Sequence, residues 1–531
     1  MDAVPYENEL TFETHRENDT VDEFHQYYGE AVERVRGELG ASHPLWIDGE
    51  SVDADDHFSV TNPGDHDETI GEFAAGTPAA VDRAVEAAAD AFQQWRTASV
   101  AERTEVFRAA VAELRTRKFE LAATVSLENG KNRTEAMADV DEAIDFLQFY
   151  SRELERNDGY EFDTGEPTPG QHCTNVLRPY GVFGVVAPFN FPLAILAGMT
   201  TGPVIAGNTA VVKPASATPL IAHKFVEALT EAGLPDGVVN LVTGSGSAVG
   251  QPLVEHDDVA GVVFTGSREV GRAIERTFRE LGKRGPVVAE LGGKNPVIVT
   301  ADADLEKAVS GVAMGAFSFS GQKCSATSRV YVHEDVIEQF TADLVAYAES
   351  LTIGPAEAAE TVVSPVVDGS AVERYTDICE QAAAVGTVRT GGELVDDPDL
   401  PDGHYLRPTV VTDVPHEHAL AREEHFLPFV TIHPVADLEE GLERANDSDY
   451  GLCAGLFSET EAEIETWLDR IESGMCYVNR AQSATTGALV QAQPFGGWKA
   501  SGTTGKFAGG YWYLPQFVRE QSRTRVTPAR E

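Results

Sequence analysis

From Tyr180 onward, short β-branched runs alternate with helical stretches, and this alternation narrows the possible folds more than any other feature. Val182-Phe183-Gly184-Val185-Val186-Ala187, Thr209-Ala210-Val211-Val212, Val238-Val239-Asn240-Leu241-Val242 and Gly261-Val262-Val263-Phe264 read as buried strands. Helical segments separate them, for instance 219–232 and 268–281. Apolar strands joined through helices imply a parallel sheet covered on both faces. The expected class is α/β, with a doubly wound, nucleotide-binding domain. A second α/β region is expected from about 297 to 478.

Upstream, 20–39 reads as an amphipathic helix, with Thr20-Val21-Asp22-Glu23 opening it like a capping box. Leu45-Trp46-Ile47 begins a short strand pair that turns at Asp48-Gly49. From 77 to 150 the pattern is helical, with Ala84, Ala88, Ala91 and Phe92 on one stripe and Val106, Ala110, Val111 and Leu114 on another. The segment 357–401 reads as surface helices and loops. The aromatic tail, with Tyr511, Trp512, Tyr513 and Phe517, suggests burial against another subunit.

A chain of 531 residues exceeds one ordinary core, so two or three lobes are expected. No apolar run is long enough to span a membrane, and the first residues show no secretory pattern. Cys173, Cys324, Cys379, Cys453 and Cys476 are scattered and odd in number. That argues for reduced thiols in a cytoplasm, without a disulfide framework or a metal site. The formal charge of −46 is spread along the chain. It disfavours nucleic acid and anionic membranes as partners. It suits very high salt, where the Debye length falls to about 3 Å, and a halophilic source is inferred.

Chemistry concentrates in a few segments. Gly321-Gln322-Lys323-Cys324-Ser325 places one thiol among small and polar neighbours, where Lys323 or a helix N-terminus could lower its pKa. A buried, inert cysteine is the plain alternative. Pro188-Phe189-Asn190-Phe191 ends a strand with an amide that could hold an oxyanion or cap a helix. Thr265-Gly266-Ser267-Arg268-Glu269-Val270-Gly271 follows a strand and opens a helix, as a pyrophosphate site does, although Ser267 could simply be an N-cap. Gly244–Gly250 is one residue too long for the dinucleotide fingerprint. Glu290-Leu291-Gly292-Gly293 gives a carboxylate room to act as a base, against a solvated surface glutamate as the alternative.

The order of these segments resembles the aldehyde dehydrogenase superfamily over nearly the whole chain. The resemblance implies Cys324 as nucleophile, Glu290 as general base and Asn190 as oxyanion donor. It implies NAD as cofactor, with NADP as the alternative. Lys213 and Ser216 would meet the adenosine ribose. Gly266, Ser267 and Gly271 would form the cofactor turn, and Glu424 and Phe426 would hold the nicotinamide ribose and ring. Leu427 stands where the family pattern has a glycine.

Gln322-Lys323-Cys324-Ser325-Ala326, Thr486-Gly487-Ala488, Ser501-Gly502-Thr503 and the opening Pro5-Tyr6-Glu7-Asn8-Glu9 are similar to the branch that oxidises L-glutamate 5-semialdehyde, formed from 1-pyrroline-5-carboxylate. That likeness implies Ser325, Gly487 and Ala488 around the substrate carboxylate, with Phe191 and Phe495 along its chain. It also implies a homo-oligomer and proline catabolism, with a proline dehydrogenase as a candidate functional partner. The implied domains are 1–159 with 181–290 for the N-terminal segment and cofactor, 291–502 for catalysis, and 160–180 with 503–531 as an oligomerisation arm. The rival readings are a dehydrogenase of another acidic semialdehyde, such as 2,5-dioxopentanoate, and a catalytically dead binding protein on the same fold.

Overall fold

Two seven-stranded sheets organise the molecule, a computed structural model that describes residues 8–481 and 489–526. The first runs in the spatial order Val287–Glu290, Val259–Thr265, Val182–Val186, Thr209–Lys213, Val239–Leu241, Leu45–Ile47 and Glu50–Val52. Its first five strands are parallel, and the hairpin 45–52 joins antiparallel at the edge. The chain lays strands outward from Val182–Val186 in one direction, then returns to its other side with Val259–Thr265. The gap between the carboxyl ends of these two strands is the topological switch point, where open α/β sheets bind ligands.

The second sheet runs Thr387–Thr390, Thr409–Thr412, Phe429–Val435, Thr327–His333, Asn295–Val299, Cys453–Phe457 and Met475–Val478, antiparallel only at its first pair. A third, three-stranded sheet pairs Gln171–Pro179 with both Glu161–Gly165 and Val518–Val526. Its two outer strands are largely exposed, and the central Gln171–Pro179 is mostly half-buried.

The helical stretch 77–150 resolves into Pro78–Trp95, Val100–Thr116, Lys118–Asn129 and Arg133–Arg156. The capping box stands at Ser99, which accepts from Glu102 N–H while the Glu102 carboxylate takes Ser99 N–H. Thr20 forms no such box: its helix is Val21–Arg36, and its hydroxyl meets the ring of His15 instead. Gly130, with φ of 83°, ends Lys118–Asn129 and turns the buried chain sharply into Asn132, which caps the next helix.

The tail corrects the sequence reading in part. Tyr513, Leu514 and Phe517 are buried against this chain's own core, with Tyr513 stacked on Tyr150. Trp512 is 71 % exposed. The segment 357–401 also goes beyond surface structure: Gly369–Val385 buries Tyr375, Cys379 and Ala382 in a core of its own. Among the described residues no helix is long and apolar enough to cross a membrane.

Candidate active site

At the switch point lies a cleft of about 820 Å³, lined by Asn190, Gly266, Ser267, Cys324, Glu424 and Phe426 among others. Cys324 also forms part of a second, apolar pocket with Phe191, Glu290, Phe495 and Tyr513. Cys324 is thus common to the walls of both spaces, together with Phe264 and Thr265.

The nucleophile segment is built by backbone geometry. Helix Leu305–Phe317 stops, and Phe319, Ser320 and Gly321 all take positive φ. At Gly321 a Cβ would sit 2.2 Å from the carbonyl oxygen of Leu427, so only glycine fits. Asn295 Nδ2 then donates to the Cys324 carbonyl at 2.8 Å. A Cβ at Gly293 would meet that same carbonyl at 2.6 Å. Cys324 is 9 % exposed.

Lys323 does not assist the thiol. Its Nζ pairs with Glu135 and donates to Ser318 Oγ at 2.9 Å. Cys324 does not itself open a helix: it lies in the turn between the 318–321 segment and the strand Thr327–His333. Burial pushes the thiol well above its ordinary range, and the carboxylates of Glu424 and Glu290 add to this. The Ser325 N–H donates to the sulfur and opposes the shift.

Asn190 is buried in the cleft wall. It is not the cap of the following helix, Ala194–Ile205. The Asp139 carboxylate takes that helix's first N–H groups, with Ala194 N at 2.7 Å. Glu290 ends the strand Val287–Glu290. Burial raises its carboxyl well above the usual range, against a hydrogen bond from Gly497 N–H. Its Oε2 is buried with no partner. The solvated-surface alternative is therefore excluded.

Ser267 does cap helix Arg268–Glu280, accepting from Val270 N–H, and it lines the cleft beside Gly266 as well. Gly271 is placed differently: a Cβ there would strike Leu291 at 2.3 Å, so this glycine packs the helix onto the sheet. Glu424 accepts from Gly293 N–H at 3.0 Å, and burial pushes its carboxyl up to about 7. Phe426 packs edge-on to Phe189, 5.8 Å between centroids. Leu427 is buried in the core behind the cleft.

Lys213 is buried, donates to the Pro214 carbonyl at 2.7 Å, and is pushed down to about 8 by burial. Ser216 is exposed, and its hydroxyl donates to the Gly244 carbonyl at 3.1 Å. Gly244–Gly250 thus packs beside Lys213 and Ser216. Ser325 is buried next to Cys324 in the chain. Gly487 and Ala488 lie outside the described residues.

Four residues of the site had no place in the sequence reading. Asn129 donates to the Phe189 carbonyl at 2.7 Å, and Lys131, paired with Asp139, lies over Phe191. Glu135 takes up Lys323. The available signal was Asn129-Gly130-Lys131, a glycine helix stop inside the polar stretch 128–135, which marks a turn but not its partners.

Comparison with known proteins agrees with this geometry. The aldehyde dehydrogenase family matches residues 46–522. The 1-pyrroline-5-carboxylate dehydrogenase 1 of Halalkalibacterium halodurans is 39% identical over 502 residues, 93% of this chain and 95% of that protein. The crystal structure of 1-pyrroline-5-carboxylate dehydrogenase from Thermus with bound NAD superposes with a TM-score of 0.92 at 37% identity, covering 99% of this chain and 100% of that one. Proline utilization A from Bdellovibrio bacteriovorus superposes with a TM-score of 0.92 at 34% identity, covering 99% of this chain and 54% of that longer one. The chain belongs to the aldehyde dehydrogenase family.

Proposed function

We propose that this aldehyde dehydrogenase oxidises L-glutamate 5-semialdehyde, formed from 1-pyrroline-5-carboxylate, to L-glutamate with NAD. The observation that carries the reading is Cys324, set in the wall between the switch-point cleft and the pocket holding Glu290. The cleft suits a dinucleotide: it is large, and the start of helix Arg268–Glu280 and a buried carboxylate line it. Gly266 and Ser267 would hold the pyrophosphate, Lys213 and Ser216 the adenosine ribose, and Glu424 and Phe426 the nicotinamide riboside. The carry-over of substrate and cofactor rests on the relatives named above.

Cys324 Sγ, as thiolate, attacks the aldehyde carbon and forms a thiohemiacetal. The Asn190 amide and the Cys324 N–H stabilise its oxyanion. NAD, when bound, supplies the acceptor for the hydride that leaves this carbon. Glu290 takes a proton from water, the water oxygen bonds to the thioester carbon, and the C–S bond breaks to release acid and thiolate. Ser325, Gly487 and Ala488 anchor the substrate carboxylate, while Phe191 and Phe495 flank its chain. The arm 160–180 with 503–531 serves assembly into a homo-oligomer, in a cytoplasm of high salt. A proline dehydrogenase is the natural source of substrate.

Steady-state kinetics in molar salt and in dilute buffer test this reading. The kcat/KM for glutamate semialdehyde should exceed that for propanal by about 100-fold or more, because a site built for hydrogen bonds rejects analogues lacking them. It should also exceed that for 2,5-dioxopentanoate, and activity should fall on dilution. Equal turnover of the acidic and neutral aldehydes would refute the substrate assignment.

Ser216 bears on cofactor choice. No carboxylate stands at this position to repel a 2′-phosphate, and Lys213 lies beside it. Both cofactors should support turnover, NAD by a modest factor the better. Ser216→Glu should lower kcat/KM for NADP at least about tenfold while changing that for NAD far less. Absence of any wild-type turnover with NADP would remove Ser216 from this role.

A further inference from the structure

Behind the cleft wall lies a charged pair that touches neither cleft nor solvent. Lys131 and Asp139 have side chains of 0 % exposure, with Nζ and Oδ2 3.2 Å apart. The other Asp139 oxygen accepts the Ala194 N–H. The Lys131 ammonium lies 3.4 Å from the centroid of the Phe191 ring and 5.3 Å from that of Phe319. Phe191 follows Asn190 directly, and Phe319 lies in the left-handed turn that leads to Cys324. Two residues before Lys131, the fully buried Asn129 donates to the Phe189 carbonyl at 2.7 Å.

These contacts bracket one residue. Asn129 fixes the peptide before Asn190, Lys131 the ring after it, and Asp139 the helix start beyond. A buried ammonium needs both a counter-charge and favourable aromatic faces, so its position is narrowly determined. An oxyanion donor, in turn, must be held where charge develops without reorganising during the reaction.

We propose that Asn129, Lys131 and Asp139 are positioning residues for the reaction: they fix the Asn190 amide in its oxyanion-holding pose and tie it to the nucleophile turn through Phe319. This rests on the assignment of Asn190 made above. None of the three touches the reacting atoms. Their loss should therefore lower kcat and leave cofactor affinity in place.

A double-mutant cycle on the full-length enzyme tests it, with glutamate semialdehyde, NAD and NAD binding measured by fluorescence. Asn190→Ala alone should lower kcat about 100-fold or more. If it does not, the oxyanion assignment itself falls, whatever the other variants do. Asn129→Ala and Lys131→Met should each lower kcat at least about tenfold in the wild-type background, with KM changed less than about threefold, and less than about twofold when Asn190 is already Ala. Lys131→Arg should recover part of the loss. A full, additive loss in the Asn190→Ala background, or wild-type kcat in Asn129→Ala, would overturn the proposal. Should Lys131→Met not fold, the Asn129→Ala cycle decides alone.

Discussion

Cys324→Ala should abolish aldehyde oxidation, lowering turnover by roughly 10⁴-fold or more while NAD still binds. Of the other four thiols, Cys453 is near enough to Cys324 to add to the upward push on its thiol, and the two residues share Asn295 as a hydrogen-bond partner. Cys379 packs in the helix layer around Tyr375, and Cys453 and Cys476 belong to the second sheet or its edge. Cys173 is half-buried on the strand Gln171–Pro179 of the three-stranded sheet. Alanine at any of these four should leave turnover within a factor of a few. The thiol's surroundings add a second arm to this test. Burial and the carboxylates of Glu424 and Glu290 disfavour the thiolate, and Lys323 is held away by Glu135. Without cofactor, alkylation of Cys324 by iodoacetamide should therefore accelerate with rising pH, well into the alkaline range. Removing one of the opposing charges with Glu424→Gln should move that profile to lower pH. Turnover that survives Cys324→Ala would end the mechanism. A profile unmoved by Glu424→Gln would remove the electrostatic part of the argument.

Reading the chain alone recovers the fold where physics is local. The buried parallel strands announce themselves as β-branched runs, since burial on both faces leaves no polar alternation to confuse them. The hairpin at Asp48-Gly49 is equally plain, because its turn needs positive φ, which both residues adopt. Segments with a named chemistry, Cys324, Glu290 and Asn190, are legible as a set through their family order. What escapes is relational. Lys323 looks like an activator of its neighbour in sequence, yet Glu135, 188 positions away, takes its charge. Gly271 fits a cofactor turn in sequence, while in the fold a Cβ there would meet the Leu291 side chain across the helix–sheet contact. Thr20 carries the pattern of a capping box, but a nearby histidine ring competes for its hydroxyl. Asn129, Lys131 and Asp139 read as ordinary polar residues because nothing in one dimension places them against 189–194. Except at Thr20, where His15 is five residues away, tertiary contacts decide these cases, and no short window of sequence contains both partners.

Glu290→Gln should separate the two halves of the reaction. The amide keeps the shape of the side chain and can still accept from Gly497 N–H, so the strand end and the pocket with Cys324 should persist. It cannot take a proton from water. Of this chain's groups, thiohemiacetal formation and hydride loss to added NAD would need the thiol and the oxyanion donors but not Glu290, so one equivalent of reduced cofactor should appear per active site in a fast burst. The thioester then waits for unassisted hydrolysis, and the steady state should slow by roughly 10²–10⁴-fold, the usual contribution of a positioned base. Glu290 in the wild type should carry a pH signature of its own. Burial raises the Glu290 carboxyl well above the ordinary carboxylate range, and its Oε2 has no partner to hold the charged form. The acting species is the carboxylate, so thioester hydrolysis should be lost as pH falls through that raised value and be fully present only above it. In Glu290→Gln this limb should vanish from the hydrolysis rate, leaving the burst phase to report the thiol alone. An amide variant that keeps wild-type steady-state turnover, or that loses the burst together with the steady state, would show that Glu290 is not the base of the second half-reaction.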